Sequence, residues 1–557
     1  MLAIIAESAL EFASLLCGVQ IFSYRFTANT QKAIARTAFL LIAFAFADLV
    51  YSFAISDFSL KLVFENSHTL KPLIYKMSGT WGNHEGSMLL FLFLTSAYGQ
   101  LIINDRKATA TMGGVIGLFL GFIIISSNPF TQLAITPPEG MGLNPLLQDI
   151  GLAFHPPLLY SGYTGFAVVF ALAIAILLRG EITKHDLKIL RTVSTISWSF
   201  LTIGIAGGSW WAYRELGWGG FWFWDPVENS SLVPWFLATA LIHCLIVTEK
   251  RGLFKKWVLL LSILTFLSCV AGFFLVRSGL LSSVHAFAVD PLRGYFILGI
   301  LCLCAFPAFI LYGIRSHKFE SEGDYEFLSR ESAIQFNNLL TVVISATVFL
   351  GTIFPFALDI FSEEKIAVGE SFYNQTVAPL LLAVVVLSSI VLMAWHKTSL
   401  KLNSVMAWAH IGLLVMAIGA YTSYTFGQEK LLQLKVGEST DFAGKNFKLT
   451  DVVEGSETNY AFRRGLFSVD DHIVAPESRI YPIERQETTE AALYNTYLSD
   501  YYVVIGAKNP QEAYAVRLYF KPLITMLWLG ALLMFIAGGI RVLRLLSLRG
   551  GKADAAI

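Results

Sequence analysis

Aromatic residues are concentrated in one short part of the 557-residue chain, at residues 218–226, which read WGGFWFWDP. Such a cluster is typical of a buried aromatic core, of a belt at a membrane interface, or of a platform for a large flat ligand. A belt would spread over many helix ends, yet seven of the 12 tryptophans lie between Trp198 and Trp235. The pattern favours the ligand platform, and residues 218–226 are named the aromatic segment.

Two histidines in loop-like surroundings could supply metal ligands beside such a platform. His155 occurs in AFHPPLLY and His285 in SSVHAFAVDP. Low-spin haem iron binds two imidazoles on opposite faces of a flat macrocycle, whose edges need apolar and aromatic walls. The flat ligand that this combination favours is haem, with His155 and His285 as axial ligands.

The composition places these residues in a membrane protein. The chain is 55% hydrophobic and 14% charged, which excludes an ordinary soluble globule and a disordered chain. The formal net charge is zero, so nothing points to nucleic acid as a partner. Apolar stretches of roughly 18 to 23 residues recur, and each is long enough to cross about 30 Å of membrane lipid as a helix.

We predict an all-α polytopic membrane protein of about 13 transmembrane helices, with a small extracytoplasmic β-rich domain. The predicted spans are 4–24, 37–57, 85–104, 110–127, 157–179, 191–211, 230–248, 257–277, 293–313, 336–358, 374–396, 403–424 and 520–542. The predicted domains are a helical membrane domain (1–424, with the loop at 210–229), the β-rich domain (427–518), and a final helix with a basic tail (520–557). The first span lacks a preceding basic region and contains Glu7 and Glu11, so we expect a retained helix and not a cleaved signal peptide.

The distribution of Lys and Arg predicts the orientation. Basic residues recur at every second connection between spans, whereas residues 128–155 contain none and residues 359–373 are mostly acidic. The 58–84 connection is the exception, since it carries three lysines on the supposed outer side. The positive-inside rule places the N-terminus outside and the C-terminus inside. The aromatic segment, His155 and His285 then share the outer side.

A second histidine pair lies within the predicted spans. His243 lies about five residues before the inner end of its span and His410 about seven residues after the inner start of another. At about 1.5 Å rise per residue, both are roughly 8 to 10 Å from the inner boundary. Ionisable residues at such depth are usually functional. Two readings stay open: a membrane-embedded b-type haem, or two separate histidines that bond to neighbouring helices.

The cysteines do not indicate redox chemistry. Cys17, Cys244, Cys269, Cys302 and Cys304 all fall in apolar stretches, and no Cys-x-x-Cys occurs. We expect small buried side chains, and neither a disulfide framework nor a thiol-exchange enzyme.

Several long blocks resemble one family. GSWWAYRELGWGGFWFWDPVENSSLVPW resembles the WWD domain of haem-handling proteins, specifically that of CcmF-type cytochrome c haem lyases. Further matching blocks are WGNHEGSMLL (81–90), NPLLQDIGLAFHPPLLYSGY (144–163), FLVRSGLLSSVHAFAVDP (274–291), and TTEAALYNTYLSDYYVVIG followed by YAVRLYFKP and WLGALLM. They extend over residues 81–534. The stretch from about 314 to 403 is short for the family, and Phe221 stands where members often have Trp.

The resemblance implies roles for individual residues. His155 and His285 would bind the delivered haem, and His243 and His410 a resident haem b. The WWD platform would consist of Trp218, Gly219, Gly220, Trp222, Trp224 and Asp225, with Trp210 and Trp211 also at the cofactor. Arg277 and Arg214 are candidate partners of haem propionates, because guanidinium pairs well with carboxylate. A salt bridge to Asp225 or Glu228 is the alternative for these arginines.

The resemblance also implies an activity and partners. Members attach the vinyl groups of haem b to the thiols of a Cys-x-x-Cys-His motif in apocytochrome c, during cytochrome c maturation in the bacterial inner membrane. We expect periplasmic active loops, a CcmE-type haem chaperone as haem donor, CcmH-type and CcmI-type subunits, and membrane lipid as surroundings. The resident haem would reduce the delivered haem, with quinol as a possible electron source. No Ser-His-Asp-like constellation is needed, since the substrate supplies the thiol and positioning lowers the barrier.

Two other functions compete with this interpretation. A haem transporter or loading protein would move haem without forming bonds, but the β-rich domain and the second histidine pair argue against it. A quinol-oxidising membrane cytochrome would leave bond formation to another protein. A haem-free carrier is the remaining alternative, and formation of a thioether product distinguishes the lyase from all three.

Overall fold

A computed structural model of the protein describes residues 1–279, 291–321, 323–361, 368–396 and 405–547. These residues form a helical bundle, then a β-sandwich, then one further helix. The helices are α1 (Leu2–Ile21), α2 (Ala28–Ala54), α3 (Lys61–Asn66), α4 (Leu73–Gly79), α5 (His84–Gly99), α6 (Arg106–Ser126), α7 (Ile150–Arg179), α8 (Lys184–Glu215), α9 (Pro226–Arg251), α10 (Lys255–Arg277), α11 (Pro291–Arg315), α12 (Arg330–Phe361), α13 (Glu370–His396), α14 (Val405–Thr425) and α15 (Ile524–Ser547). The polytopic helical architecture predicted from the composition is confirmed.

Twelve helices in the described part of the chain are long and apolar enough to cross a membrane. Each overlaps one predicted span. The remaining predicted span, 85–104, coincides with α5, which has only 16 residues and continues as a short 3-10 turn. Together the two elements cover residues 84–102, close to the predicted bounds.

Four helices form the centre of the bundle. In α7, α8, α9 and α10, between 67% and 83% of the residues in the most apolar part of the helix are buried inside the protein. In α11, α13 and α14 this share is only 17–22%. The turn from α7 to α8 is short because Gly180 ends α7 in a left-handed conformation and Thr183 starts α8 with a capping box to Asp186. The central helices carry His155, His243 and Arg277.

The domain after α14 is an antiparallel β-sandwich. Its strands are β1 (Gln428–Leu434), β2 (Ser439–Phe442), β3 (Lys445–Ser456), β4 (Ala461–Val469), β5 (His472–Val474), β6 (Glu477–Tyr481), β7 (Gln486–Glu490), β8 (Ala492–Thr496), β9 (Ser499–Lys508) and β10 (Tyr514–Lys521). One sheet has the order β1-β10-β9-β8 and the other β2-β3-β4-β6-β7, with β5 paired to β4. Alternating apolar residues of both sheets, such as Phe467 and Val516, form the core between them. The strands continue three residues beyond the predicted boundary at 518, because Phe520 and Lys521 still pair with β9.

A buried ion pair attaches the sandwich to the bundle. The Lys71 ammonium lies 2.5 Å from the Glu484 carboxylate, and the side chains are 0% and 7% exposed. Burial lowers the pKa of Lys71, and the hydrogen bond and charge of Glu484 oppose that shift. Next to the pair, Asn459 of the sandwich donates to Gln148 at 2.7 Å. The side of the bundle that holds these contacts is named the sandwich side.

Glycines allow α14 and α15, the helices that precede and follow the sandwich in the chain, to pack closely against each other. A Cβ added at Gly530 would lie 2.5 Å from the carbonyl oxygen of Gly412, whereas one added at Gly539 meets nothing within 4 Å. Small residues at such contacts are typical of helix pairs in membranes. The contact fixes α14, which carries His410.

We expect Gly530→Ala to lower the stability of the purified protein by about 1–3 kcal/mol, because the added methyl group forces α14 and α15 apart. Gly539→Ala, on the same helix, is the matched control and should be neutral or slightly stabilising. Thermal unfolding in detergent measures both. Equal midpoints for the two variants would contradict the close packing.

We also expect Lys71→Met to release the sandwich from the bundle. The change leaves the Glu484 carboxylate buried and uncompensated, at a cost of about 3–5 kcal/mol. The double variant Lys71→Met/Glu484→Leu should recover most of this loss. Lys61→Ala, which breaks the exposed pair with Glu65, should cost at most about 1 kcal/mol. Limited proteolysis of the sandwich reports its release, and a double variant as sensitive as Lys71→Met would contradict the prediction.

Candidate functional site: the aromatic segment and the histidine pair

The aromatic segment ends in the N-cap of α9. The Asp225 carboxylate accepts the backbone N–H of Val227 at 2.8 Å. In return the Glu228 carboxylate accepts the backbone N–H groups of Asp225 at 3.0 Å and of Phe223 at 2.9 Å. Pro226 occupies the first turn, where its lack of an N–H costs nothing. Asp225, predicted as part of the platform, therefore fixes the direction in which the aromatic segment leaves the bundle.

Trp224 is held by α13. Its ring stacks on Tyr373 with the centroids 4.8 Å apart and the planes at 12°. Its indole N–H donates to the side-chain oxygen of Asn374 at 3.0 Å. Trp222 meets Trp224 edge to face at 6.0 Å. The predicted platform tryptophans Trp222 and Trp224 are thus brought together.

The other half of the aromatic segment rests on the sandwich. Gly219 has φ +65°, and a Cβ added there would lie 2.6 Å from the ring of Tyr519 on β10. The Tyr502 ring on β9 meets the Tyr519 ring edge to face, with the centroids 5.5 Å apart, so β9 supports the ring that contacts Gly219. Trp218 is 43% exposed, and Gly220 leaves room for the ring of Phe223, which Trp218 meets edge to face. The glycines let the backbone approach the sandwich while Trp218 stays open to a ligand.

Buried carboxylates also lie between α8 and the sandwich. The Tyr213 hydroxyl lies 3.3 Å from the Asp500 carboxylate. Burial raises the pKa of Asp500, and hydrogen bonds from Asn495 and Tyr213 oppose the rise. Burial likewise raises the pKa of Glu490, against the charge of Arg479. The interface beside the aromatic segment is therefore desolvated.

His155 stands on the sandwich side of α7 and faces α8. Its ring stacks with Trp211 at 6.0 Å and 20°. A Cβ added at Gly208 would lie 3.1 Å from the His155 Nδ1, so the absence of a side chain at this position makes room for the imidazole. Trp211, predicted as a cofactor-binding residue, therefore lies beside His155. His285, the predicted second outer ligand, lies outside the described residues.

The two predicted propionate partners occupy different environments. Arg214 packs over the Trp210 ring at 4.7 Å, and the carboxylate beside it is that of Asp149 at 3.8 Å. The sequence suggested Asp225 or Glu228 as an alternative salt-bridge partner of Arg214, but these two residues cap α9.

Arg277, at the last turn of α10, is 5% exposed. It donates to the hydroxyl of Ser87 at 2.8 Å and to that of Tyr160 at 2.9 Å, and it packs over Phe273 at 5.2 Å. Its Nε has no hydrogen-bond partner among the described residues. Neutral hydroxyls do not compensate the charge, so this environment suits an added anion.

Helices α9 and α14 bring the His243 and His410 rings close together. Their ring centroids are 6.2 Å apart, with the planes at 41°. Metal–imidazole bonds are about 2 Å long, so this spacing would let both side chains hold one iron between them. At 1.5 Å per residue, His243 lies about 27 Å along α9 from Asp225. The two predicted sites are therefore separate, and one helix connects them.

The ring nitrogen of His410 that could bind iron is defined by its backbone contact. Nδ1 lies 2.9 Å from the carbonyl oxygen of Met406, one turn earlier on α14. A carbonyl only accepts, so Nδ1 carries the proton and Nε2 keeps its lone pair. Most metal-binding histidines have this arrangement.

Sequence reasoning missed four residues that position the site. Tyr373 and Asn374 hold Trp224, Tyr519 supports Gly219, and Asn337 contacts His243. For Asn337 a signal existed, because FNNLL places two amides at the start of an apolar span. The other three are ordinary aromatic or polar residues whose role depends on tertiary contacts.

We expect Asp225→Ala to cost about 1 kcal/mol, because the first turn of α9 loses its side-chain acceptor. Asp225→Ser supplies another acceptor and should restore most of the stability in thermal unfolding. If Asp225→Ser proves as unstable as Asp225→Ala, the side chain acts through something other than the helix cap.

Comparisons with known proteins agree with this architecture. Residues 81–281 match the family model "Cytochrome C assembly protein", and residues 425–522 match "CcmF C-terminal beta-sandwich". The chain is 40% identical to the cytochrome c-type biogenesis protein ccl1 of Rhodobacter capsulatus, over 92% of this chain and 90% of that protein. It is 37% identical to CcmF of Escherichia coli, over 91% of each chain.

A solved structure named cytochrome c haem lyase CcmF has the same fold. It superposes with a TM-score of 0.78 at 22% identity, over 98% of both chains. Together with the identities above, which extend over nine tenths of the chain, this shows that the protein belongs to the CcmF family of cytochrome c-type biogenesis proteins.

Proposed function

We propose that the protein is the haem lyase subunit of a cytochrome c maturation system, and that it holds a resident haem b between His243 and His410. The observation that carries the proposal is the close approach of the two imidazoles on α9 and α14, whose ring centroids lie 6.2 Å apart. A transporter of haem needs no such second site. Membership of the CcmF family supports the same activity, since relatives are named for cytochrome c biogenesis.

The substrate haem is proposed to bind on the sandwich side, at the aromatic segment. His155 and His285 would hold its iron. Trp218 and Trp222 would cover the ring and exclude water. Arg277, with its unpartnered Nε, would take a propionate, and Arg214 over Trp210 is the second candidate for that role.

The bond-forming step adds a thiol of the apocytochrome across a vinyl group of the substrate haem. An S–C and a C–H bond form, the S–H bond and the vinyl π bond are lost, and no other reactant is consumed. The chain's own residues position the reactants, since none of them needs to act as nucleophile. Holding two reactants in register supplies several kcal/mol of the barrier, about 7–11 in the most favourable cases.

The resident haem, when bound, would supply the electron that keeps the substrate iron ferrous. His243 and His410 would hold it. Along α9, His243 lies about 27 Å from Asp225, which stands at the proposed substrate site. Quinol is the proposed electron source in the surrounding lipid.

The proposed system includes further proteins. A CcmE-type chaperone would deliver haem, and CcmH-type and CcmI-type subunits would present reduced apocytochrome c. All five cysteines of this chain are free thiols, and only Cys302 is not fully buried. Thiol reduction would therefore be done by a partner. The proposed location is the bacterial inner membrane, with the sandwich side in the periplasm.

We expect the purified protein to show a b-type optical spectrum on reduction with dithionite. His243→Ala and His410→Ala should each abolish it, because one ligand alone does not give the low-spin spectrum of a doubly ligated iron. His185→Ala, on the exposed first turn of α8, is the control and should leave it unchanged. A parent without haem, or variants that retain the spectrum, would contradict the resident haem.

The electron-transfer role has its own test. His410→Ala should still bind haem at the aromatic segment but should form no thioether product in a reconstituted mixture. Added dithionite should restore product formation, since it replaces the missing reductant. Full ligation by His410→Ala without added reductant would overturn this role.

A further inference from the structure

Two neighbouring amides enter the bundle on α12. Asn337 is 9% exposed and Asn338 is 3% exposed. Both lie in a helix that is apolar enough to cross a membrane. A buried amide without a partner costs roughly 2–7 kcal/mol, so each is expected to have a specific contact.

The contacts of these amides differ in kind. The side-chain nitrogen Nδ2 of Asn337 lies 3.2 Å from the Nδ1 of His243, and whether that ring nitrogen donates or accepts depends on the tautomer of the imidazole. Asn338 donates to the sulfur of Cys244 at 3.1 Å. The two asparagines thus touch consecutive residues of α9, and only Asn337 touches a proposed iron ligand.

Further polar contacts fix how α12 lies along α9. Asn229 donates to the hydroxyl of Thr352 at 3.0 Å. Closer to the histidine pair, the Ser345 hydroxyl reaches the carbonyl oxygen of Val233 at 3.4 Å. These contacts set the register of the two antiparallel helices, so Asn337 is held opposite His243 by the whole interface.

The chemistry of a neutral imidazole determines what this contact does. One ring nitrogen carries the proton and the other has the lone pair that can bind a metal. If the Asn337 NH₂ donates to Nδ1, the proton must sit on Nε2 and the ring cannot bind iron through it. If the amide oxygen accepts from Nδ1–H, Nε2 is free. Rotating the Asn337 side-chain amide by half a turn exchanges the positions of its oxygen and its nitrogen, so either atom can face Nδ1.

We propose that Asn337 is a positioning residue of the resident haem site, whose amide oxygen accepts Nδ1–H of His243 and so presents Nε2 to the iron. This rests on the resident haem b proposed above. The two ligands are then oriented by different acceptors, a backbone carbonyl for His410 and a side chain for His243. The site consequently extends over three helices, and Asn337 adjusts the electron donation of one ligand.

The proposal predicts an order of reduction midpoints. An acceptor at Nδ1–H makes the imidazole a better donor and stabilises ferric iron. Asn337→Leu removes the acceptor and should raise the midpoint, whereas Asn337→Asp supplies a charged acceptor of the same shape and should lower it. A tenfold change in the ferric-to-ferrous ratio corresponds to about 59 mV for one electron. We expect shifts of about this size in opposite directions, and about tenfold weaker haem binding in Asn337→Leu.

The experiment is a spectroscopic redox titration of the purified full-length protein and its variants. Asn338→Leu is the matched control, because it removes an equally buried amide from the next position of α12. Its midpoint should equal that of the parent. If Asn337→Leu does not fold, the near-isosteric Asn337→Asp decides the question alone.

The possible outcomes separate the two proposals. Opposite shifts in the Asn337 variants, with none in Asn338→Leu, support the positioning role. An unchanged midpoint in Asn337→Asp, or an equal shift in Asn338→Leu, overturns it and leaves the resident haem in place. A parent without a b-type spectrum overturns the resident haem itself.

Discussion

The capping box at the first turn of α9 is the interaction on which the architecture of both proposed sites depends. Asp225 and Glu228 satisfy backbone N–H groups at a helix end that would otherwise need water. In doing so they fix the point at which the aromatic segment joins the bundle. The same helix then carries His243 to its partner on α14. Helix α9 thus sets the distance between the platform on the sandwich side and the histidine pair inside the bundle.

The β-sandwich forms part of the structural support of the platform. Tyr519 contacts Gly219 of the aromatic segment and packs against Tyr502, and Lys71 and Glu484 join the two bodies through a buried charge pair. Four elements therefore surround the segment: α9 at one end, α13 beside Trp224, and β9 and β10 beside Gly219. The exposed Trp218 meets the ring of Phe223 within the segment that these elements hold.

Sequence reasoning succeeded where a pattern is local. Apolar length predicted every membrane-spanning helix in the described part of the chain, because about 20 apolar residues are needed whatever their neighbours are. Matching the depths of His243 and His410 predicted their meeting, since rise per residue is a property of the helix alone. The span predicted at 85–104 coincides with α5 and the 3-10 turn that follows it, a change of helix type that hydropathy does not register.

The contacts that hold the site together could not be predicted in this way. Nothing in the sequence around Tyr373 or Tyr519 indicates which ring or glycine will meet it, because that depends on how distant elements pack. A salt bridge to Asp225 or Glu228 was the alternative considered for Arg214, and the carboxylate beside it is that of Asp149, which the packing of α7 against α8 brings close. Asn337 was visible as a polar residue in an apolar span, but its partner was not.

The order of strands in the sandwich has a consequence for biosynthesis. β10 is the last strand to be made, yet it lies in the interior of its sheet, between β1 and β9. Until the ribosome has produced it, β1 has no neighbour in that sheet and Gly219 lacks the ring of Tyr519. The platform can therefore be completed only after translation has passed β10 and reached α15. A chain interrupted just before β10 would have every helix from α1 to α14 and no assembled platform.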